Sequence, residues 1–262
     1  MMQCEPRVNK SSLARRFARA AHNYDDWSEL QCRTGQKLLQ LLPSDQHWPC
    51  ALDLGCGTGY FLPELHRRCH RLAGLDLCPE MLLQARRRSP TTELCRGDAE
   101  NLPYASQSFD LVFSNLMLQW CNQLDRAFSE IKAIMKPGGL CVFSTLLQGT
   151  LGELDHVWQQ QGREPCVNRF ISREQLEQAL IRSGLQLVQG IEQAEVIHRA
   201  DFKELLMTIK GIGASEVNRS PGCGLMGRQT LVRLERSYQQ FREQNGLLPA
   251  TYQLFYGVVT NE

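Results

Sequence analysis

Three glycines spaced two residues apart, in Asp53-Leu54-Gly55-Cys56-Gly57-Thr58-Gly59, separate an apolar run, CALDL, from an amphipathic one, YFLPELHRR. A turn of that kind between a buried strand and a helix commits the chain to an α/β fold, because glycine alone enters the left-handed region freely and lets a ligand press on the main chain. Any Cβ held there costs roughly 1–2 kcal/mol. Without its setting the triplet would be only a glycine-rich strand-to-helix turn.

The setting repeats. Apolar runs at 50–55, 71–76, 93–98, 108–115 and 140–147 are expected as strands. Helical patterns at 60–68, 79–88 and 123–136 fall between them, with Pro63 and Pro79 in first turns and Pro137-Gly138-Gly139 as a turn. Strands apolar almost throughout point to a mostly parallel sheet with helices on both faces. Ahead of this lie two expected helices, 11–22 with a Ser cap and 24–42. Behind it come a helix at 174–184, a strand at 185–197, two helical segments around a glycine-rich loop within 199–246, and a strand at 251–259. The reading is one domain over 1–262: a helical cap (1–45), a core (46–198), a helical insertion acting with the cap as a lid (199–246), and a final strand (247–262).

Glycine spacing selects the ligand. A dinucleotide loop needs GxGxxG, which would put its third glycine at 60 or 62; those positions hold Tyr60 and Leu62. An acid followed by glycines at +2, +4 and +6 suits a cationic, phosphate-free nucleoside such as S-adenosylmethionine, whose ammonium Asp53 can accept. Asp76 ends the second apolar run, where a carboxylate reaches ribose hydroxyls, and Asp98 ends the third, where it can meet an adenine amino group. Taken singly, Asp76 is as readily a helix cap and Asp98 a turn former.

Composition narrows the classes. Lys and Arg total 29 against 28 Asp and Glu, so no global field favours nucleic acid or an anionic membrane. No apolar stretch approaches a membrane span, and the first ten residues carry no apolar signal core. Eleven cysteines without a CxxC pair argue against a zinc ribbon and for a reduced, cytoplasmic setting, with Cys50, Cys95 and Cys141 expected as buried apolar residues. His66 and His70 stand four apart on an expected helix, but no HExxH motif accompanies them; they are read as surface residues, and no metal is expected. Lys132 and Lys136 are also read as surface residues.

The segments LDLGCGTGY (52–60), GLD (74–76), GDAENLP (97–103), SFDLVFSN (108–115) and KPGGLCVFS (136–144) resemble the class I S-adenosylmethionine methyltransferases. That resemblance implies a Rossmann-like, seven-stranded sheet whose last strand is antiparallel. It also implies cofactor contacts from Asp53, Gly55, Gly57, Gly59, Asp76, Leu77, Met81, Asp98, Ala99 and Asn115. FARAAHNYDDWSELQ (17–31), SNLMLQWC (114–121), FSTLLQGTLGEL (143–154), VNRFIS (167–172), IKGIGA (209–214) and LPATYQLFYGV (248–258) further resemble the malonyl-[acyl-carrier-protein] O-methyltransferases of biotin synthesis.

This second resemblance implies methylation of the free carboxylate of a malonyl thioester on carrier protein or coenzyme A. Tyr24 would close over the cofactor, or else be an ordinary aromatic at a helix junction. Asn115 and Gln119 would orient the acyl group, or be loop amides facing water. A carboxylate is ionised at neutral pH, so positioning rather than a general base would carry the reaction. An acidic carrier protein would dock on basic residues: Arg15, Arg16 and Arg19, with Arg7 and Lys10 nearby, and Lys203 and Lys210, with Arg219 and Arg228 available, in the insertion. Methylation of another acceptor, a quinone ring carbon or a free dicarboxylate, shares the same loop. A catalytically silent cofactor binder would be expected to lack one of the three acids.

Overall fold

The structure, a computed structural model, describes residues 8–162, 168–211 and 228–262. Seven strands form one sheet: β1 (Trp48–Leu54), β2 (Cys69–Asp76), β3 (Glu93–Arg96), β4 (Phe109–Asn115), β5 (Met135–Leu146), β6 (Gln186–Arg199) and β7 (Leu248–Thr260). Their order is β3-β2-β1-β4-β5-β7-β6. The first five pair in parallel, and β7 runs antiparallel to both β5 and β6. The expected mostly parallel sheet with a reversed last strand is therefore present. Its strand order turns back between β1 and β4, and a crevice opens there beyond the carboxyl ends.

Alternation along β1 feeds two cores. Ala51 faces one, with Leu38 and Leu39 of α2 (Glu29–Leu41) and Leu62 and Leu65 of α3 (Leu62–His66). Leu52 and Leu54 face the other, with Phe128 and Ile131 of α5 (Leu124–Ile134) and Leu176 and Leu180 of α7 (Arg173–Ser183). Helix α1 (Lys10–Ala20) lies against α4 (Pro79–Arg88) at the crevice.

Several expectations change. The cap of α1 is Asn9, whose side chain accepts from Ser12 N, and not a serine. The helix expected at 24–42 is broken into a 3₁₀ turn, Asp25–Trp27, and α2, where the Ser28 hydroxyl donates to Asp25 O at 3.0 Å. Because α3 ends at His66, His70 falls on β2, where its ring lies 4.3 Å from that of His47; the two histidines do not share a helix. Helix α6 (Gly152–Gln160) was not foreseen, although Leu154, Val157 and Trp158 bury one face of it. Pro137-Gly138-Gly139 lies within β5 rather than before it. Cys141 is buried as expected, but Cys50 and Cys95 are only half-buried.

Helices α8 (Phe202–Gly211) and α9 (Arg228–Tyr238) lie between β6 and β7, and Phe202, Leu205, Leu234 and Tyr238 join the first core. Among the described residues no helix is long and apolar enough to cross a membrane, and no group of residues is arranged to hold a metal.

Candidate active site

The glycine loop follows β1 because the strand has to turn under the end of β2: Gly55 N and Cys56 N both donate to Leu75 O, at 2.7 and 3.0 Å. Gly55, Gly57 and Gly59 all have positive φ, at 81°, 53° and 77°. Their surroundings separate their tasks. A Cβ on Gly59 would stand 2.9 Å from Ala85 Cα, so this glycine lets α4 approach the loop. A Cβ on Gly55 would meet Met117 Cγ at 2.4 Å. At Gly57 a Cβ would meet nothing within 4 Å, because this residue borders a cavity.

That cavity, about 740 Å³ with the open solvent at its mouth included, lies beyond the carboxyl ends of β1, β2 and β4. The structure brings Tyr24, Gly55, Gly57, Asp76, Leu77, Met81, Asp98, Ala99 and Asn115 together on its wall. Asp53 and Gly59 do not line it. Asp53 is 3% exposed, and burial, with the nearby Asp76 charge adding, raises its carboxyl to about 8. Gln119 lines an adjoining cavity instead.

Asp76 fastens the floor. Its Oδ2 accepts from Gly57 N at 2.9 Å and its Oδ1 from Cys78 N at 2.8 Å, so one carboxylate fixes the loops after both β1 and β2. Burial raises its pKa, while those backbone donors work against the rise.

Lys10 was grouped with the outward docking residues, but the structure turns it inward. Its Nζ lies 2.9 Å from Asp98 Oδ1 and 2.6 Å from Glu100 Oε2. Burial opposes its charge, yet Cys121 and the bonds to Glu100 and Asp98 outweigh burial and raise its pKa. Neutralised in this way, Lys10 leaves no free cation for a phosphate among the described residues that line the cavity. A cationic nucleoside bordered by Asp76 and Asp98, with Gly57 open toward it, fits these residues.

The roof is aromatic. Phe17 of α1 stands edge-on to both Tyr24 (6.1 Å) and Trp120 (5.7 Å), and all three line the cavity. Burial raises the Tyr24 phenol well above its usual value, Asp76 and Asp25 add to the rise, and a hydrogen bond from the Gln31 side chain works against it. Tyr24 thus remains a neutral donor. No described residue of α8 or α9 lines the cavity; among the described residues the N-terminal segment covers it, and residues 212–227 of the other segment expected as a lid lie outside the described residues.

Asn115 has a different task from the expected one. Its Nδ2 donates to Gln31 O at 2.9 Å, and its Oδ1 accepts from Thr34 Oγ1 at 2.9 Å and Ser144 Oγ at 2.8 Å. The amide holds α2 over β4 and β5 and leaves the oxygen little capacity for an acyl group. Arg15, Arg19 and Lys203 are exposed and Arg16 is half-buried. Arg7 and Arg219, and the side chains of Lys210 and Arg228, lie outside the described residues. Sequence reasoning missed the lining residues Leu13, Ala14, Phe17, Met117 and Trp120, and also Gln31. Leu13 and Phe17 were legible as a helical stripe, but nothing local told which surface that stripe meets.

Sheet order, glycine loop and acid-lined crevice together define a class I S-adenosylmethionine-dependent methyltransferase fold. The methyltransferase-domain family model matches residues 52–143. The YcgJ protein of Bacillus subtilis superposes with a TM-score of 0.59 at 15% identity, over 87% of this chain and 97% of that one. The N-methyltransferase NodS of Bradyrhizobium japonicum, solved with S-adenosyl-L-homocysteine, gives 0.54 at 16% identity, over 89% and 88%. Sequence relatives are nearer. The malonyl-[acyl-carrier protein] O-methyltransferases of Hamiltonella defensa and Pectobacterium atrosepticum are 36% and 38% identical, each over 96% of this chain, and over 95% and 96% of those proteins. The biotin biosynthesis bifunctional protein BioHC of Cellvibrio japonicus is 38% identical over 96% of this chain, which spans 50% of that longer protein. The chain belongs to the malonyl-[acyl-carrier protein] O-methyltransferase family.

Proposed function

We propose that this protein transfers a methyl group from S-adenosylmethionine to the free carboxylate of a malonyl thioester, carried on acyl carrier protein or coenzyme A, in the route to biotin. One observation carries the reading beyond its relatives. The acceptor side, bounded by Tyr24, Leu30, Gln31, Leu116, Gln119, Trp120, Leu146 and Phe170, is apolar apart from two amides and a neutral phenol. An amine or alcohol acceptor would have to give up a proton there, whereas a carboxylate arrives already ionised.

S-adenosylmethionine supplies an electrophilic methyl group on a sulfonium. The chain's own residues do the rest. Gly57 and Asp76 are read as the floor under the amino-acid and ribose parts, and Asp98, Ala99 and Met81 as the walls around the base. Asp53, one layer below and protonated in the free protein, becomes the countercharge behind the loop when the ammonium draws off its proton. Tyr24 donates its O–H to the acceptor carboxylate and holds one oxygen in line, while Phe17 and Trp120 keep water out. Positioning of this kind can be worth roughly 7–11 kcal/mol. The two opposite charges cancel as the methyl moves, so a dry pocket favours the transition state. Arg15, Arg16, Arg19, Lys203 and Lys210 are assigned to an acidic carrier, where rim charges would act mainly on the association rate. The described cysteines are all free thiols, in keeping with a cytoplasmic enzyme.

The test is incubation with methyl-labelled cofactor and malonyl-[acyl carrier protein] or malonyl coenzyme A. Label in a base-labile ester on the thioester is expected. Absence of label from both, with label on a quinone or on free malonate instead, would overturn the reading.

A further inference from the structure

Lys10 stands where two spaces meet. With Asp98 it lines the cofactor cavity, and the same two residues line an open groove on the other side, bordered by Glu100, Asn122 and Arg126. The pair is therefore the partition between cavity and solvent at the edge assigned to the base. Its halves come from distant parts of the chain. Asp98 lies in the loop after β3, whereas Lys10 opens α1, in the segment that roofs the cavity.

Asp98 Oδ1 takes two donors, Lys10 Nζ at 2.9 Å and Glu100 N at 3.0 Å. Two bonds on one oxygen fix the rotation of the carboxylate, and Oδ2 is thereby the oxygen offered to a ligand. Lys10 Nζ is held from its other side as well, 2.6 Å from Glu100 Oε2, while Glu100 Oε1 accepts from Gln123 N at 2.6 Å. All three charged side chains are partly buried, so solvent screens them less than an open surface pair. An ionised carboxylate can only accept, so Asp98 held in this way suits an amino group on a base and repels a carbonyl oxygen. Take the ammonium away, and two carboxylates face each other with no charge between them.

Resting on the place given above to the base, we propose that Lys10 is a positioning residue for cofactor recognition, acting through Asp98. It fixes that carboxylate as the acceptor for the exocyclic amino group of adenine, and it does so only while α1 is seated. A purine with a carbonyl in that position is turned away. Seating itself has a separate device: Val8 N donates to Asn122 Oδ1 at 2.6 Å, and Asn122 Nδ2 donates to Val8 O at 3.1 Å. This clamp holds the start of α1 without touching Asp98.

Calorimetry on the intact protein with S-adenosylhomocysteine and S-inosylhomocysteine, in which a carbonyl oxygen replaces the amino group, tests this. Wild type is expected to favour the adenosine compound by about thirtyfold, the worth of a hydrogen bond to a charged group. Lys10→Met keeps the stem and loses the charge. It is expected to bring that ratio below about threefold, chiefly by weakening the adenosine compound. Asn122→Ala is expected to weaken both compounds alike and to keep the ratio. A wild-type ratio in Lys10→Met overturns the inference, because Lys10 is then only a strap. Tighter binding of S-adenosylhomocysteine by Lys10→Met also overturns it, because Lys10 then competes with the base. Loss of all binding by Lys10→Met, or a ratio that collapses as far in Asn122→Ala, does the same. Equal binding of the two compounds by wild type overturns the inference together with the place given to the base, and leaves the proposed methyl transfer standing. Failure of wild type to bind either compound overturns the proposed function itself.

Discussion

Asp25 Oδ1 accepts a hydrogen bond from Thr58 Oγ1 at 2.7 Å, and this bond fastens the turn that follows Tyr24 to the glycine loop. The second oxygen, Oδ2, takes Arg88 NH2 at 2.5 Å, and that guanidinium stands over the Tyr60 ring. The Arg88 and Asp25 side chains are 34% and 35% exposed, so solvent weakens the ion pair, while the charge-assisted bond from the buried Thr58 hydroxyl is better shielded. Asp25→Ala should release the roof. About tenfold is expected to go from kcat/KM, mostly in kcat, with S-adenosylhomocysteine affinity changed no more than a few-fold. Steady-state methyl transfer beside calorimetry reads both; an unchanged kcat would mean the fastening has no part in turnover.

Tyr24→Phe keeps the edge-on contact with Phe17 and removes only the hydroxyl. A drop of about tenfold or more in turnover is expected, with cofactor affinity within about twofold, because the lost donor acts on the acceptor. Equal turnover by variant and wild type would dismiss the role given to the phenol.

Gly57→Ala and Gly59→Ala should fail in different ways. At Gly57, φ is 53° and no protein atom lies in the way, so the variant should lose roughly 1–2 kcal/mol of stability while its methyl intrudes on the ligand. At Gly59 the added carbon meets Ala85 Cα, and α4 has to shift, which should cost about 1–3 kcal/mol more. Thermal melts should rank Gly59→Ala well below Gly57→Ala. Affinity for S-adenosylhomocysteine, measured below both melting temperatures, should be weakened at least tenfold in Gly57→Ala.

Asp53, raised to about 8 from an ordinary 3.8, favours folding in its protonated form. Its contribution to stability is full below the ordinary value and is lost as pH rises through about 8. An ammonium group brought near it favours the ionised form and expels the proton. Between pH 6 and 8, S-adenosylhomocysteine should therefore bind more tightly as pH rises, by up to about tenfold per unit, with net proton release. Asp53→Asn should therefore flatten this slope. A wild-type affinity that does not vary with pH would remove Asp53 from cofactor recognition.

How much of this was legible depended on whether the signal was local. The glycine loop and the acids at 76 and 98 could be read because strand, turn and helix each leave a mark on neighbouring residues. The seven-stranded sheet with its reversed last strand came through resemblance, and the order β3-β2-β1-β4-β5-β7-β6 was not read at all, since pairing between distant strands has no local mark. Lys10 was misread because five basic residues in one stretch look like a solvated face, and only the fold brings Asp98 and Glu100 to one of them. Asn115 was misread for the same reason: its partners Gln31, Thr34 and Ser144 come from α2 and β5. The break at Ser28 was hidden by an unbroken helical pattern, although a serine able to take its own upstream carbonyl was in plain view.

Because β7 runs back alongside β6, with His198 paired to Pro249 and Arg199 to Leu248, the excursion at 200–247 leaves and rejoins the sheet at one point. A detour closed in this manner can grow, shrink or change character without moving any rung of the ladder beneath it. The strand pairing that holds the nucleoside is therefore indifferent to the length of this detour, and a lineage could rewrite its outward faces so long as residues such as Phe202, Leu205, Leu234 and Tyr238 keep it seated on the first core.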